Sequence, residues 1–92
     1  MMVELVEVYN LHNEYHVREV YVNPKHVVAM RQDSRMMSLL QEGRLPEDLD
    51  NRQNFTRLYL DRGHTGIDIT VVGDTATLKE KFGLDARSLL KG

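Results

Sequence analysis

No cysteine occurs among the 92 residues. That absence excludes disulfide scaffolds, thiolate zinc sites, iron–sulfur clusters and cysteine nucleophiles. Long apolar runs are missing as well. The longest are four residues, such as Val27-Val28-Ala29-Met30, against the roughly 20 of a membrane-spanning helix. Met1 to Glu7 carry two acids and no base, the reverse of a secretory leader, so the expected location is the cytoplasm and no membrane partner is expected. A surplus of positive charge is also lacking. Twelve Lys plus Arg stand against fourteen Asp plus Glu, a formal charge of −2, which disfavours a dedicated nucleic-acid binder.

What is present is the composition of a soluble globular chain, 41% hydrophobic and 28% charged, and the length suits one domain over residues 1–92. Residues 3–11 read as a strand with Val3, Leu5, Tyr9 and Leu11 on one face; Glu7 breaks that face, which suggests a sheet edge. His12-Asn13 reads as a hairpin turn leading into a return strand over 14–22, dense in Tyr and Val. Asn23-Pro24 stops that strand and caps a short helical turn. Val27 to Arg31 is predicted to be a buried third strand.

The spacing of Met36, Met37, Leu39 and Leu40 predicts a short amphipathic helix closed by Gly43. Leu45 to Asn51 reads as a polar surface loop, and 34–54 as an insertion between strands. Phe55 to Leu60 is again a strand, with Leu58 and Leu60 inward. After a turn over Asp61–Gly66, Ile67, Ile69 and Val71 point inward while Asp68 and Thr70 face water. Asp74 is an N-cap, Leu78 and Phe82 form an apolar face, and Gly83 ends the helix with Leu84 folded back on Leu78. Asp85 is expected to cap a last short helix with Leu89 and Leu90.

Reactive constellations are sparse. His12 and His16 have the spacing of a helical zinc pair but fall on a turn and a strand, where it does not converge. His26 and His64 read as solvated turn residues. The acids lie at surface-like positions, and Asp48-Leu49-Asp50-Asn51 lacks the glycine and terminal glutamate of a calcium loop. Ser34, Ser38 and Ser88 have no flanking elbow glycines. Gly63-His64-Thr65-Gly66 joins strands instead of opening a helix, so it is no phosphate loop. No catalytic residue, metal ligand or cofactor is assigned.

Arginine is the remaining signal. Arg31, Arg35, Arg44, Arg52, Arg57 and Arg62 fall in a window without lysine, balanced by six acids. Arg in place of Lys favours bidentate contacts to carboxylates, within the fold or on a partner. Methionine-rich patches adapt to partners, so Met36, Met37 and Leu40, flanked by Arg35 and Arg44, form the candidate protein-binding face. The same apolar residues would equally serve to close a core or a dimer seam. Arg31, Arg57 and Arg62 are the candidates for the alternative, a nucleic-acid contact.

The run Val20-Tyr21-Val22-Asn23-Pro24-Lys25-His26-Val27-Val28-Ala29-Met30, then Thr56 to Gly63 and Ile67 to Val71, resembles the FlbD-like flagellar and swarming-motility proteins and related small β-rich proteins of bacteria and phages. The likeness covers roughly residues 18–82. It has no counterpart for 34–54 or for the strand 3–11, and it carries no catalytic motif. It implies a small β scaffold and a non-enzymatic role in a bacterial or phage setting. The expectation is therefore an α+β domain, an antiparallel sheet of four to five strands curled toward a small barrel, with a short inserted helix and a C-terminal helix. Its expected work is protein interaction or regulation, in a phage case on a host protein. A nucleic-acid module and a small enzyme or ligand-binding protein are the alternatives. A homodimer extended through the strand 3–11 is expected.

Overall fold

The computed structural model describes residues 1–62 and 65–84. The Gly63–His64 turn tip, the Arg62 side chain, Ser88 and the last short helix expected from Asp85 with Leu89 and Leu90 lie outside that description. Five strands, β1 (Val3–Leu11), β2 (Glu14–Val22), β3 (Val27–Gln32), β4 (Phe55–Arg62) and β5 (Thr65–Val72), form one sheet in the order β2-β1-β5-β4-β3, antiparallel at every pairing. Helix α1 (Ser34–Gln41) lies between β3 and β4 in the chain, and α2 (Thr75–Lys81) follows β5. Among the described residues no helix is long and apolar enough to cross a membrane.

The hairpin β1–β2 turns on His12 and Asn13, both with positive φ (53° and 67°), the backbone that the right-handed twist of a two-residue hairpin turn requires. Asn23 then accepts the Lys25 N–H at 3.0 Å and starts a 3-10 turn over Pro24–His26. That short link joins the two outermost strands. In a flat five-stranded sheet they would lie about 19 Å apart, whereas the chain from Val22 to Val27 reaches at most roughly 17 Å even when extended. The sheet therefore curls. Its concave side gathers Leu5, Val22, Leu58 and Val71, joined by Val27 and Met30, so all five strands contribute, with Leu78 and Phe82 of α2 packed among them. The expected barrel nevertheless stays open, because β2 and β3 share no ladder.

A second core lies on the opposite face. Strand alternation puts Phe55 and Leu58 on different sides of β4, and Phe55 packs with Val8, Met36, Leu39, Leu40 and Leu45. Both Phe55 and Leu58 have no exposed surface, a burial worth about 1.5–3 kcal/mol each.

Two-sided burial corrects several readings. β1 is not an edge but second in the sheet, so its extension by another copy is blocked by β2 and β5. It buries Leu5 on one face and Val8 on the other, while Leu11 is exposed. Glu7 breaks the apolar face because it bonds Arg18 Nε directly across the hairpin at 2.9 Å, and Arg18 lies 4.0 Å over the Tyr9 ring. β3, expected to be buried, is an edge strand with most residues exposed. Ile67 is exposed and Thr70 is buried, the reverse of the expected order at those two positions. The loop after α1 is not wholly a surface feature, since Leu45 is buried and Leu49 packs beside it.

Local chemistry sets the helix limits. Asp33 caps α1 by accepting the Met36 N–H at 3.0 Å. At the other end Gly43 adopts φ 74°, and the Gly43 and Arg44 N–H groups bond back to Leu40 and Leu39. Gly83 (φ 71°) and Leu84 repeat this ending on α2, and Leu84 packs on the core that contains Leu78. Asp74 caps α2, and the Thr77 backbone N–H at 2.7 Å, helped by the Thr77 hydroxyl, holds its carboxyl below the ordinary 3.8. A carboxyl depressed in the folded state contributes stability that is present above its unfolded value and lost as pH falls through the folded one. Asp74→Asn keeps an acceptor at the cap without this titration. The difference in urea midpoint between neutral pH and a pH well below 3.8 is expected to be smaller for Asp74→Asn than for the parent chain.

Candidate functional site: an arginine face on β3, β4 and α1

The candidate residues separate into core and surface. Met36 and Leu40 are each only 8% exposed and pack against the outer face of the sheet, so they hold α1 in place and present no contact surface. This corrects the methionine-patch reading, because the apolar stripe of an eight-residue helix is consumed by the sheet beneath it. Met37 is half-buried, its sulfur accepting from Gln32 Nε2 at 3.2 Å. Arg44 is exposed, its guanidinium 5.9 Å from the Tyr15 ring. The Arg62 side chain lies outside the described residues.

Three other arginines converge. The register of β3 on β4 puts Arg31 directly opposite Arg57, and facing residues of an antiparallel pair have Cβ atoms about 4.5–5.5 Å apart. Arg35, on the first turn of α1, lines the same cavity of about 290 Å³ together with Arg31, Arg57, Ser34 and Tyr59. The Arg31 guanidinium lies 5.9 Å from the Tyr59 ring centroid. A cation opposite a cation is destabilising in a sheet, and the fold compensates only one of the two. Arg57 reaches Asp33 at 3.6 Å and Asp68 at 3.7 Å. Among the described residues, neither Arg31 nor Arg35 forms an ion pair.

Asp33 organises this face. Its side chain is 4% exposed, it caps α1, and it accepts the Thr70 hydroxyl at 2.7 Å. Its own N–H donates to the Phe55 carbonyl at 2.8 Å. One carboxylate thus ties α1, β4 and β5 together behind the arginines. That explains why Thr70 is buried, and the carboxylate lies within ion-pair distance of Arg57 but of neither Arg31 nor Arg35.

The resulting surface can bind anions. It offers planar, always-charged donors, an aromatic face beside one of them, and a shallow wall of side-chain hydroxyl and amide groups. Nothing in it resembles a nucleophile paired with a base. Among the described residues no three His, Cys, Asp or Glu side chains come together in metal-binding geometry. Sequence reasoning found Arg31 and Arg57 but assigned Arg35 elsewhere and missed Tyr59. The signal that unites them is strand register, which a single sequence does not display across the segment 33–54.

The cross-strand pair gives a direct expectation. Arg31→Thr, a good strand former, is expected to raise the thermal midpoint at low ionic strength by the equivalent of about 0.2–1 kcal/mol. The gain should shrink toward zero near 1 M salt, where the screening length is roughly 3 Å. Calorimetry at two salt concentrations measures both parts.

Comparison of the chain with family models, with curated proteins and with solved structures returns no match.

Proposed function

We propose that this protein is a non-catalytic interaction module that captures a protein partner presenting carboxylates, with Arg31, Arg35 and Arg57 as the contact residues. The observation that carries the reading is the Arg31–Arg57 facing pair with Arg35 beside it. Keeping two unneutralised guanidiniums next to a third costs stability, and an anionic partner converts that cost into affinity. A protein partner fits better than nucleic acid. The chain carries a net −2, and Asp61 and Asp68 are exposed beside the face, so a short acidic segment confined to the arginines meets less repulsion than a long phosphate backbone that runs on past these carboxylates. Tyr59 beside Arg31 favours the second reading, a nucleobase stacked on the ring.

A titration separates the two. With a short polyglutamate peptide as probe, the Nε–H signals of Arg31, Arg35 and Arg57 are expected to shift, and Arg31→Ala/Arg35→Ala to weaken binding at least about tenfold. A single-stranded RNA oligomer that binds more tightly than the peptide, with affinity falling steeply as salt rises, would replace this reading with the nucleic-acid one. Absence of binding by either probe would remove both.

A further inference from the structure

The arginine face borders an open sheet edge. β3 ends the strand order, so one side of its backbone has no ladder partner. Natural edges are guarded by charged side chains, prolines, inward charges, bulges or a covering helix or loop. β3 has two such devices, the exposed charge of Arg31 and a register irregularity between Val27 and Ala29, and an acidic strand would neutralise the first. Val28, at that irregularity, is 70% exposed. Beyond it, Ala29, Arg31 and Gln32 are exposed, while Met30 points into the core.

We infer that β3 is a template for strand addition, and that its occupant is an extended acidic peptide segment of a partner protein pairing along Ala29–Gln32 with its carboxylates on Arg31 and Arg35. This deepens the reading of the arginine face and rests on it. Main-chain hydrogen bonds to an open edge supply affinity, and side chains on one face supply specificity. Charge selects this edge and this occupant. β3 carries no acid along its length, whereas β2, the other edge, exposes Glu14 and Glu19, which repel an acidic strand. A second copy of the chain is a poor occupant, because pairing β3 with β3 brings two sets of Arg31, Arg35 and Arg57 together.

The test uses the ¹⁵N-labelled full chain and two acetylated hexapeptides of alternating Glu and Val, one of them N-methylated at alternate residues on its pairing edge. N-methylation preserves charge and removes strand hydrogen bonds. The unmodified peptide is expected to bind at least about tenfold more tightly, the worth of one or two hydrogen bonds, and to slow amide exchange within Ala29–Gln32. Equal binding by both peptides, with arginine signals shifted and β3 amides unchanged, overturns strand addition but leaves the arginine face as an anion site. Peptide-dependent protection in β2 instead of β3 overturns the choice of edge. Protection of β3 that rises with protein concentration alone assigns the edge to a second copy and overturns the acidic occupant. Silent arginine signals with both peptides defeat the face and the strand proposal together.

Discussion

Asp33→Ala is expected to lower stability by about 2–4 kcal/mol, as read from the denaturation midpoint. About 1 kcal/mol is the lost helix cap. The buried Thr70 hydroxyl and the Met36 N–H then lack their acceptor, and an unsatisfied buried group costs about 1–3 kcal/mol. Loss of the Arg57 contact adds little, because that guanidinium is 38% exposed and solvent screens the pair. Two companion variants apportion the effect. Asp33→Asn keeps an acceptor for the Met36 N–H and is expected to recover part of the loss. Thr70→Val removes the hydroxyl without leaving it stranded, and is expected to be costly in the parent chain but much milder when combined with Asp33→Ala. A full-sized loss on adding Thr70→Val to Asp33→Ala would show that the two side chains act independently.

Phe55→Ala is expected to cost about 3–5 kcal/mol. The ring has no exposed surface and supports Val8, Met36, Leu39, Leu40 and Leu45, so its removal leaves a hole directly beneath α1. The consequence reaches the arginine face through the backbone. The Phe55 carbonyl holds the Asp33 N–H, and Asp33 in turn fixes the start of α1, from which Arg35 projects. Calorimetry gives the size of the loss. The Arg35 Nε–H resonance reports the coupling and is expected to move in Phe55→Ala while the signal of Arg18, held by Glu7 and Tyr9 in the β1–β2 hairpin, stays in place. Leu58→Ala, on the opposite face of the same strand, is expected to cost about 2–5 kcal/mol without displacing Arg35.

Elements governed by local chemistry were legible in the sequence. His12-Asn13, Asn23-Pro24, Asp74, and the glycines at 43 and 83 each act through their own backbone geometry or a neighbour within four residues, and they occupy the turns and caps expected of them. What escaped was whatever depends on a second layer. Val8 and Phe55 break the alternation of their strands because α1 covers the face that a one-sided sheet would leave to water. Thr70 is inside for the same reason, with Asp33 as its acceptor. Met36 and Leu40 carry the periodicity of an apolar face, and periodicity cannot say whether such a face meets the protein's own sheet or another protein. The arginine face depends on register across 22 intervening residues, 33–54. No local rule specifies that register.

The sheet also has an uneven seam. β1 meets β5 only at Glu7–Val71 and Val8–Thr70, whereas every other neighbouring pair runs over most of a strand. These two contacts join residues about sixty positions apart, and closing so long a loop is what slows folding. The hairpins β1–β2 and β4–β5 can each zip up from short-range pairings, whereas β3 must reach β4 across the segment 33–54. Joining the two hairpins through β1 and β5 closes the longest of these loops and is expected to be the slowest step in making the finished molecule.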